Sequence, residues 1–408
     1  MNRNLLKTCL ALAAPLATLM NPPLHAATFG DDTSFLKDHT EVIVLSDKAG
    51  LAKVSLAPAW QGRVMSSASE GDSGLSYGWI NRDLISSGKT VPHMNALGGE
   101  DRFWMGPEGG QFSVFFEKGV PFDFEHWFTP AIFDTLPFNV VSKDTDHAVF
   151  GAEFELTNYS GTKFQVSVKR TVQMLDSEDA WKDLGMAPAA NVSVVAYETD
   201  NQVTNAGKEA WKKETGLLSI WILGQYNPSA SATIVAPIKP GPESELGVKV
   251  TSNYFGAVPP ERLKVGDSVV FLSADGKYRS KIGLNPMRST GILGSYDSAN
   301  NVLTLVQFNK PPGVREYVNS LWKLQDNPYG GDAANAYNDG PATPGAKPMG
   351  PFFELESSSP AAALAPGESI THVRRTIHLS GPKSALDAVS RSTLGVSIEA
   401  IEGAFKAD

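Results

Sequence analysis

Alternation with a period of two is the feature that most restricts this chain. In FQVSVKRTVQM, residues 164–174, Phe164, Val166, Val168, Val172 and Met174 fall on one side and Gln165, Ser167, Lys169 and Thr171 on the other. That is the pattern of an antiparallel strand with one face in a core and the other in water. The rhythm returns in GAEFELTN from 151, NVLTLVQF from 301 and HVRRTIHL from 372, and clusters of Gly, Pro, Asn and Asp separate the runs. Such strands bury their apolar sides only against one another, so the expectation is an all-β chain of antiparallel sheets packed face to face. Helical spacing is clearest near the end, where Leu386, Val389, Ile398, Ile401 and Phe405 predict two short helices around Gly395, covering a sheet edge or end. No fixed-period repeat and no linker-like shift in composition divides the chain, so residues 27–408 read as one domain.

Residues 1–26 read as a secretory leader, because Arg3 and Lys7 precede the apolar run LALAAPLATLM and Ala26 offers a cleavage point. The run is shorter than the roughly 20 residues a membrane-spanning helix needs, so the expectation is a periplasmic protein with no membrane span once the leader is removed. Cys9, the only cysteine, lies inside the leader, which leaves the remainder without disulfides or thiolate ligands. The formal net charge is −9 and becomes two units more negative without Arg3 and Lys7. Nucleic acid is excluded as a partner on that ground, since phosphate binding needs a basic face and no Lys/Arg cluster is present. There is no Walker lysine, dinucleotide fingerprint or G-x-S-x-G elbow, and no cofactor is expected.

Two distant stretches concentrate chemistry: LGGEDRFWMGPEGGQ at 97–111 and MGPFFELESSSP at 349–360. Carboxylates and a guanidinium hydrogen-bond hydroxyls, and aromatic faces cover the apolar side of a pyranose, so acids, Arg102 and Trp104 together point to a sugar. In PFFELES, Phe352, Glu354 and Glu356 share one face; two carboxylates there require solvent, a cation or a pocket. Glu100, Asp101 and Arg102 read equally as a surface salt-bridge network of little energetic weight. Between the two stretches, residues 326–350 have almost no strand or helix signal, and a loop that long either binds something or is disordered. Its Asp332, Asn335, Asn338 and Asp339 could contact hydroxyls or hold a hard cation, though Asn and Asp are also ordinary turn formers and no metal is expected. Of the histidines, His372 and His378 share a polar strand face with Arg374 and read as solvated. His93 and His126 remain as candidates, His126 either as a general acid or as a residue at a core edge.

At this point the chain resembles the galactose mutarotase-like, or aldose 1-epimerase-like, superfamily, within a group of bacterial exported proteins. The resemblance rests on GGEDRFW-x-GPEGGQ, on VTNAGKEAW and GLLSIWILG between 203 and 224, on KIGLNPMRSTGILGSYD at 281–297 and on GPFFELESSSPAAALAPGES at 350–369. It implies a large antiparallel β-supersandwich with short C-terminal helices and a sugar site on a concave sheet face. By the same resemblance Glu354, four residues after Gly350, is the base that takes the anomeric proton, and Asn95 with Gly98 and Gly99 contacts sugar. The family's histidine before the glycine pair is replaced by Leu97, and the segment from Val203 to Gln225 lacks the family's acid histidine. The candidate catalytic residues are therefore Glu354 and His126. The candidate sugar contacts are Arg102, Asp101, Glu100, Trp104, Asn95, His93, Glu356, Asn338 and Asp339. The reading is an aldose epimerase-like isomerase; a non-catalytic periplasmic carbohydrate-binding protein, and a lyase or glycosidase on the same scaffold, are the alternatives. The ligand is a small or oligomeric carbohydrate, and the sequence leaves the oligomeric state open.

Overall fold

The structure, a computed structural model, describes residues 27–406 apart from Pro344; the leader lies outside the described residues. The described residues form three antiparallel sheets: a three-stranded one over residues 43–68, a ten-stranded one and a five-stranded one. Toward one edge of the ten-stranded sheet lie four long neighbours: His147–Thr157, Lys163–Leu175, Ser193–Asn205 and Ser369–Ser380. Strand alternation appears where the sequence has it, with Phe164, Val166, Val168, Val172 and Met174 all buried. Arg170, the one charged residue in that row, is buried with them.

The five-stranded sheet packs on the inner face of the large one. Its strands run in the order Ser280–Leu284, Ala334–Asn338, Phe353–Ser358, Ser219–Tyr226 and Arg102–Gly106. Ile282, Ala336, Leu355 and Tyr226 meet Ile234, Leu293 and Val306 of the ten-stranded sheet in one apolar cluster. The strand Ala334–Asn338 lies within the stretch that read as structureless, and it pairs on both sides. Two ladders hold five residues of modest β-propensity extended, an override of local preference by context.

The C-terminal helices, Lys383–Thr393 and Ile398–Gly403, differ from expectation in what they cover. Leu386, Val389, Ile398 and Ile401 pack with Leu303, Leu305, Ile377 and Leu379 on the outer face of the ten-stranded sheet, not on its edge. Because helices cover Ile377 and Leu379, the other side of that strand faces inward, and His372, Arg374 and His378 are fully buried between the sheets. They are not solvated, as the polar pattern alone suggested. Ser357 Oγ lies 2.9 Å from His372 Nε2, and burial followed by the nearby Arg374 charge pushes His372 down to about 3. Among the described residues no helix is long and apolar enough to cross a membrane.

Candidate functional site

The register of the five-stranded sheet builds one continuous polar face. Lys281, Tyr337, Glu354 and Gln225 lie opposite one another across four strands. The next rung carries Gly283, Asn335, Glu356, Leu223 and Arg102, and beyond it Trp221 pairs with Trp104. Side chains alternate across a strand, so these residues share the side turned away from the ten-stranded sheet, where Trp104 and Trp221 pack in an apolar cluster with Phe115, Phe133 and Trp127. Loops roof the face almost completely; Glu354 keeps 9% of its surface exposed.

Two carboxyls occupy the centre and differ in their partners. Glu356 Oε2 accepts from Lys281 Nζ at 3.0 Å and from Trp221 Nε1 at 2.9 Å. Glu354 Oε1 accepts only from Gln225 Nε2, at 2.9 Å. Burial, and then the Glu356 charge two residues away, raise Glu354 to about 8, against the opposing pull of Lys281 and the Gln225 hydrogen bond. Burial works against the Lys281 ammonium too, but Glu356, Glu108 and Glu354 outweigh it and its pKa rises. With carboxyls outnumbering the ammonium they surround, one of them keeps its proton at neutral pH.

Arg102 donates to the Phe133 carbonyl at 2.9 Å and to Asp134 Oδ1 at 3.0 Å, and its guanidinium lies 4.2 Å from the centre of the Trp104 ring. Asp134 also accepts from Asn95 Nδ2 at 2.7 Å. The two predicted contacts Asn95 and Arg102 are thus linked through an aspartate that sequence reasoning did not single out. Several buried polar atoms on this face have no partner among the described residues: Glu356 Oε1, Gln225 Oε1, Trp104 Nε1 and Arg102 Nε. Buried polar atoms are paired as a rule, so four orphans on one sheet face are what a polar ligand would satisfy.

Glu354, Glu356, Arg102 and Trp104 therefore share one face. Glu100 and Asp101 do not. Both are fully buried on the opposite side, Asp101 with Arg170 and Arg374, and Glu100 with Ser67, Tyr197 and His378. Neither belongs to a surface network, since both are fully buried and bonded away from the Arg102 face; alternation accounts for Asp101, whereas Glu100 precedes the strand, which begins at Arg102. Asn338 does not share the face either: its amide holds the turn at Gly276 and Tyr278 from the core side. Asp339 accepts from Tyr337 Oη at 2.7 Å and Gly350 N at 2.8 Å, which fixes the neighbouring tyrosine and the entry to the Glu354 strand. His126 sits in a surface turn with Nδ1 2.6 Å from Asp123 Oδ1 and makes no hydrogen bond to the acid pair. His93 lies between Phe124 and Phe128, its Nδ1 2.6 Å from the Trp127 carbonyl oxygen.

Sequence reasoning missed Lys281, Gln225, Trp221 and Asp134. A signal existed for three of them, since SIWILGQY and SKIGL are apolar strands in which Trp221, Gln225 and Lys281 occupy alternate positions. Asp134 carried none. Among the described residues no group of three His, Cys, Asp or Glu side chains could hold a metal ion. The Asp332 carboxylate is instead bonded to the Tyr254 hydroxyl. Two surface hollows of about 530 and 620 Å³ contain none of the residues of this face.

A family model described as "Family of unknown function (DUF6786)" matches residues 27–405. No curated protein matches the chain. Similar solved structures include a provisionally named aldose 1-epimerase from Escherichia coli K12, at 13% identity and TM-score 0.48, covering 84% of this chain and 99% of that one. The Slr1438 protein from Synechocystis sp. PCC 6803 has 13% identity and TM-score 0.48, covering 84% and 96%. A galactose mutarotase-like protein from Lactobacillus casei ATCC 334 has 11% identity and TM-score 0.45, covering 83% and 100%. No residue role passes from any of them to this chain.

Proposed function

The chain belongs to the DUF6786 family, and from its own polar face we propose that it is a periplasmic carbohydrate-active protein, an aldose epimerase-like isomerase that interconverts sugar anomers. The observation that carries the reading is the pair Glu354 and Glu356, two buried carboxyls on one sheet face, of which Glu356 is ion-paired with Lys281 and Glu354 is pushed up to about 8 by burial and the Glu356 charge. Opening a pyranose needs an acid at the ring oxygen and a base at the anomeric hydroxyl. Glu354 donates its proton to the ring oxygen as the C1–O5 bond breaks, and Glu356 Oε1, which has no other partner, takes the hydroxyl proton. Rotation of the aldehyde and reversal of both transfers closes the ring on its other face. The roles of the pair thus follow from their partners, Lys281 and Trp221 on Glu356 and Gln225 on Glu354, and Glu354 is the acid instead of the base implied by resemblance. No histidine is needed, which agrees with its absence between Val203 and Gln225. Trp104 and Trp221 supply apolar surface beside the pair.

A second reading, a binding protein without turnover, is favoured by one detail: Glu356 Oε2 already accepts from both Lys281 and Trp221, which weakens it as a base. One-dimensional NMR of freshly dissolved α-anomers separates the two. The isomerase accelerates anomer equilibration, and Glu354→Gln slows it at least ~100-fold, the lower end of what general acid catalysis contributes. Line broadening without acceleration establishes the binding protein. Neither effect with any sugar overturns both.

A further inference from the structure

The face around Glu354 and Glu356 is closed. Glu356 is wholly buried, Tyr337 and Asn335 nearly so, and Glu356 Oε1 lies beneath the roof without a partner among the described residues. A polar ligand reaches that atom only if part of the roof moves aside. Over Trp104 and Trp221 the covering residues Phe115, Phe133 and Trp127 belong to an apolar core cluster, and opening there would unpack it.

Over Lys281 and Asn335 the cover is different in kind. Residues 249–258 pass along the outer strand, Ser280–Leu284, and none of them is buried. Both roots of the segment are tied. Arg288 Nε and Nη2 donate to the Gly247 carbonyl at 3.0 and 2.8 Å, and the Pro259 carbonyl accepts from Arg262 N at 2.9 Å and Leu263 N at 3.1 Å. Val250 and Val258 pack against the apolar cluster between the sheets. Between the roots the attachments are few. Thr251 and Gly283 exchange two backbone hydrogen bonds at 2.9 and 2.8 Å, and the Tyr254 hydroxyl donates to Asp332. The Phe255 ring, 46% exposed, lies 5.9 Å from Tyr337 and 3.8 Å from the Arg279 guanidinium. A segment with so little buried surface opens locally without disturbing the sheets beneath it.

Two details connect the segment to the acid pair. The centre of the Tyr254 ring is 5.8 Å from Lys281 Nζ, the ammonium that holds Glu356. Asn335 Nδ2, 3.4 Å from the Tyr254 oxygen, also lies 3.5 Å from Asp332 Oδ2, so the carboxyl keeps a donor when the tyrosine leaves. Building on the reading of this face as a ligand site, we propose that residues 249–258 are a lid over Glu354 and Glu356, latched by the Tyr254–Asp332 hydrogen bond, and that the ligand enters beside Lys281 when the latch opens.

Hydrogen exchange read by mass spectrometry, and acetylation by N-hydroxysuccinimidyl acetate with the exposed Lys89 as internal reference, test this in Tyr254→Phe, which keeps the ring and removes only the latch. Exchange across residues 249–258 and acetylation of Lys281 relative to Lys89 should both rise about tenfold, the order expected from losing a hydrogen bond to a carboxyl. The strands Arg102–Gly106 and Phe353–Ser358 should keep their protection. Unchanged exchange and labelling overturn the latch. Faster exchange in 249–258 with Lys281 as protected as before means that the segment moves without uncovering the face, and overturns the lid. Should Tyr254→Phe loosen every strand alike, Phe255→Ala, which trims a half-exposed ring from the same segment, repeats the measurement; absence of the local pattern there overturns the lid as well. Neither readout uses a sugar, so local opening in a protein that binds no sugar by NMR supports the lid and overturns only the sugar reading.

Discussion

At the scale of the residue, Glu354 links chemistry to stability. An unfolded glutamate titrates near 4.5 and the folded one near 8, so between those values the folded state binds more protons than the unfolded one. The protonated carboxyl fits the roofed face, and the contribution is fully present below pH 4.5. It is lost as pH rises through 8, with a slope of at most about 1.4 kcal/mol per pH unit. Glu354→Gln keeps the shape and the Gln225 partnership without a proton to lose. Urea unfolding at pH 5, 6.5, 8 and 9 should show the variant gaining on the wild type as pH rises, with no further gain above 8; parallel profiles would mean that Glu354 ionises freely. The sequence made the pairing of Glu354 and Glu356 legible through simple alternation. It could not tell which of them keeps the proton, because that depends on Lys281, Trp221 and Gln225, which arrive from other strands.

At the scale of the element, the five-stranded sheet was only partly legible. The strand around Glu354 announces itself by alternation, whereas ANAYN at 334–338 is held extended by neighbours on both sides, and no property of those five residues alone predicts it. The C-terminal helices were legible as helices, but whether an amphipathic helix covers an edge or a face depends on which strand surface is left apolar, a fact about Ile377 and Leu379. Gly283 belongs to this scale too. A Cβ there would overlap the Asp332 carboxylate and the Tyr254 hydroxyl, which are bonded to each other above the strand. The strand is fixed by pairing with Asn335, so the side chains must give way. Gly283→Ala is expected to cost about 1–3 kcal/mol, the usual range for overpacking, and to open the roof beside Glu356. Urea denaturation reads the first effect. Faster acrylamide quenching of tryptophan fluorescence reads the second, and unchanged values of both would show that the Tyr254 and Asp332 pair moves aside freely.

At the scale of the whole molecule, the two large sheets are joined by charge as well as by apolar surface. Asp101 accepts from Arg170 at 2.7 Å and pairs with Arg374 at 3.3 Å, while Glu100 lies 2.9 Å from His378 Nε2. Arg170 and Arg374 come from the ten-stranded sheet, and the acids are the two residues just before the Arg102 strand. In sequence, Glu100, Asp101 and Arg102 look like one cluster. The strand splits them, Arg102 to the polar face and Asp101 to the space between sheets, and the gap that Arg170 makes in an otherwise apolar row was the trace of its partner. Replacing Asp101 by Asn leaves two guanidinium groups in the dry interior without a full counter-charge. The expected loss is about 3–5 kcal/mol, the range for breaking a buried ion pair. Because the network spans both sheets, far-UV dichroism and tryptophan fluorescence should still report one coincident transition. Asp101 faces away from the acid pair, so the folded variant should retain the sugar affinity of the wild type. An Asp101→Asn protein of undiminished stability that no longer binds sugar would place Asp101 on the ligand side of the sheet, and the division between scaffold and site drawn through the Arg102 strand would be wrong.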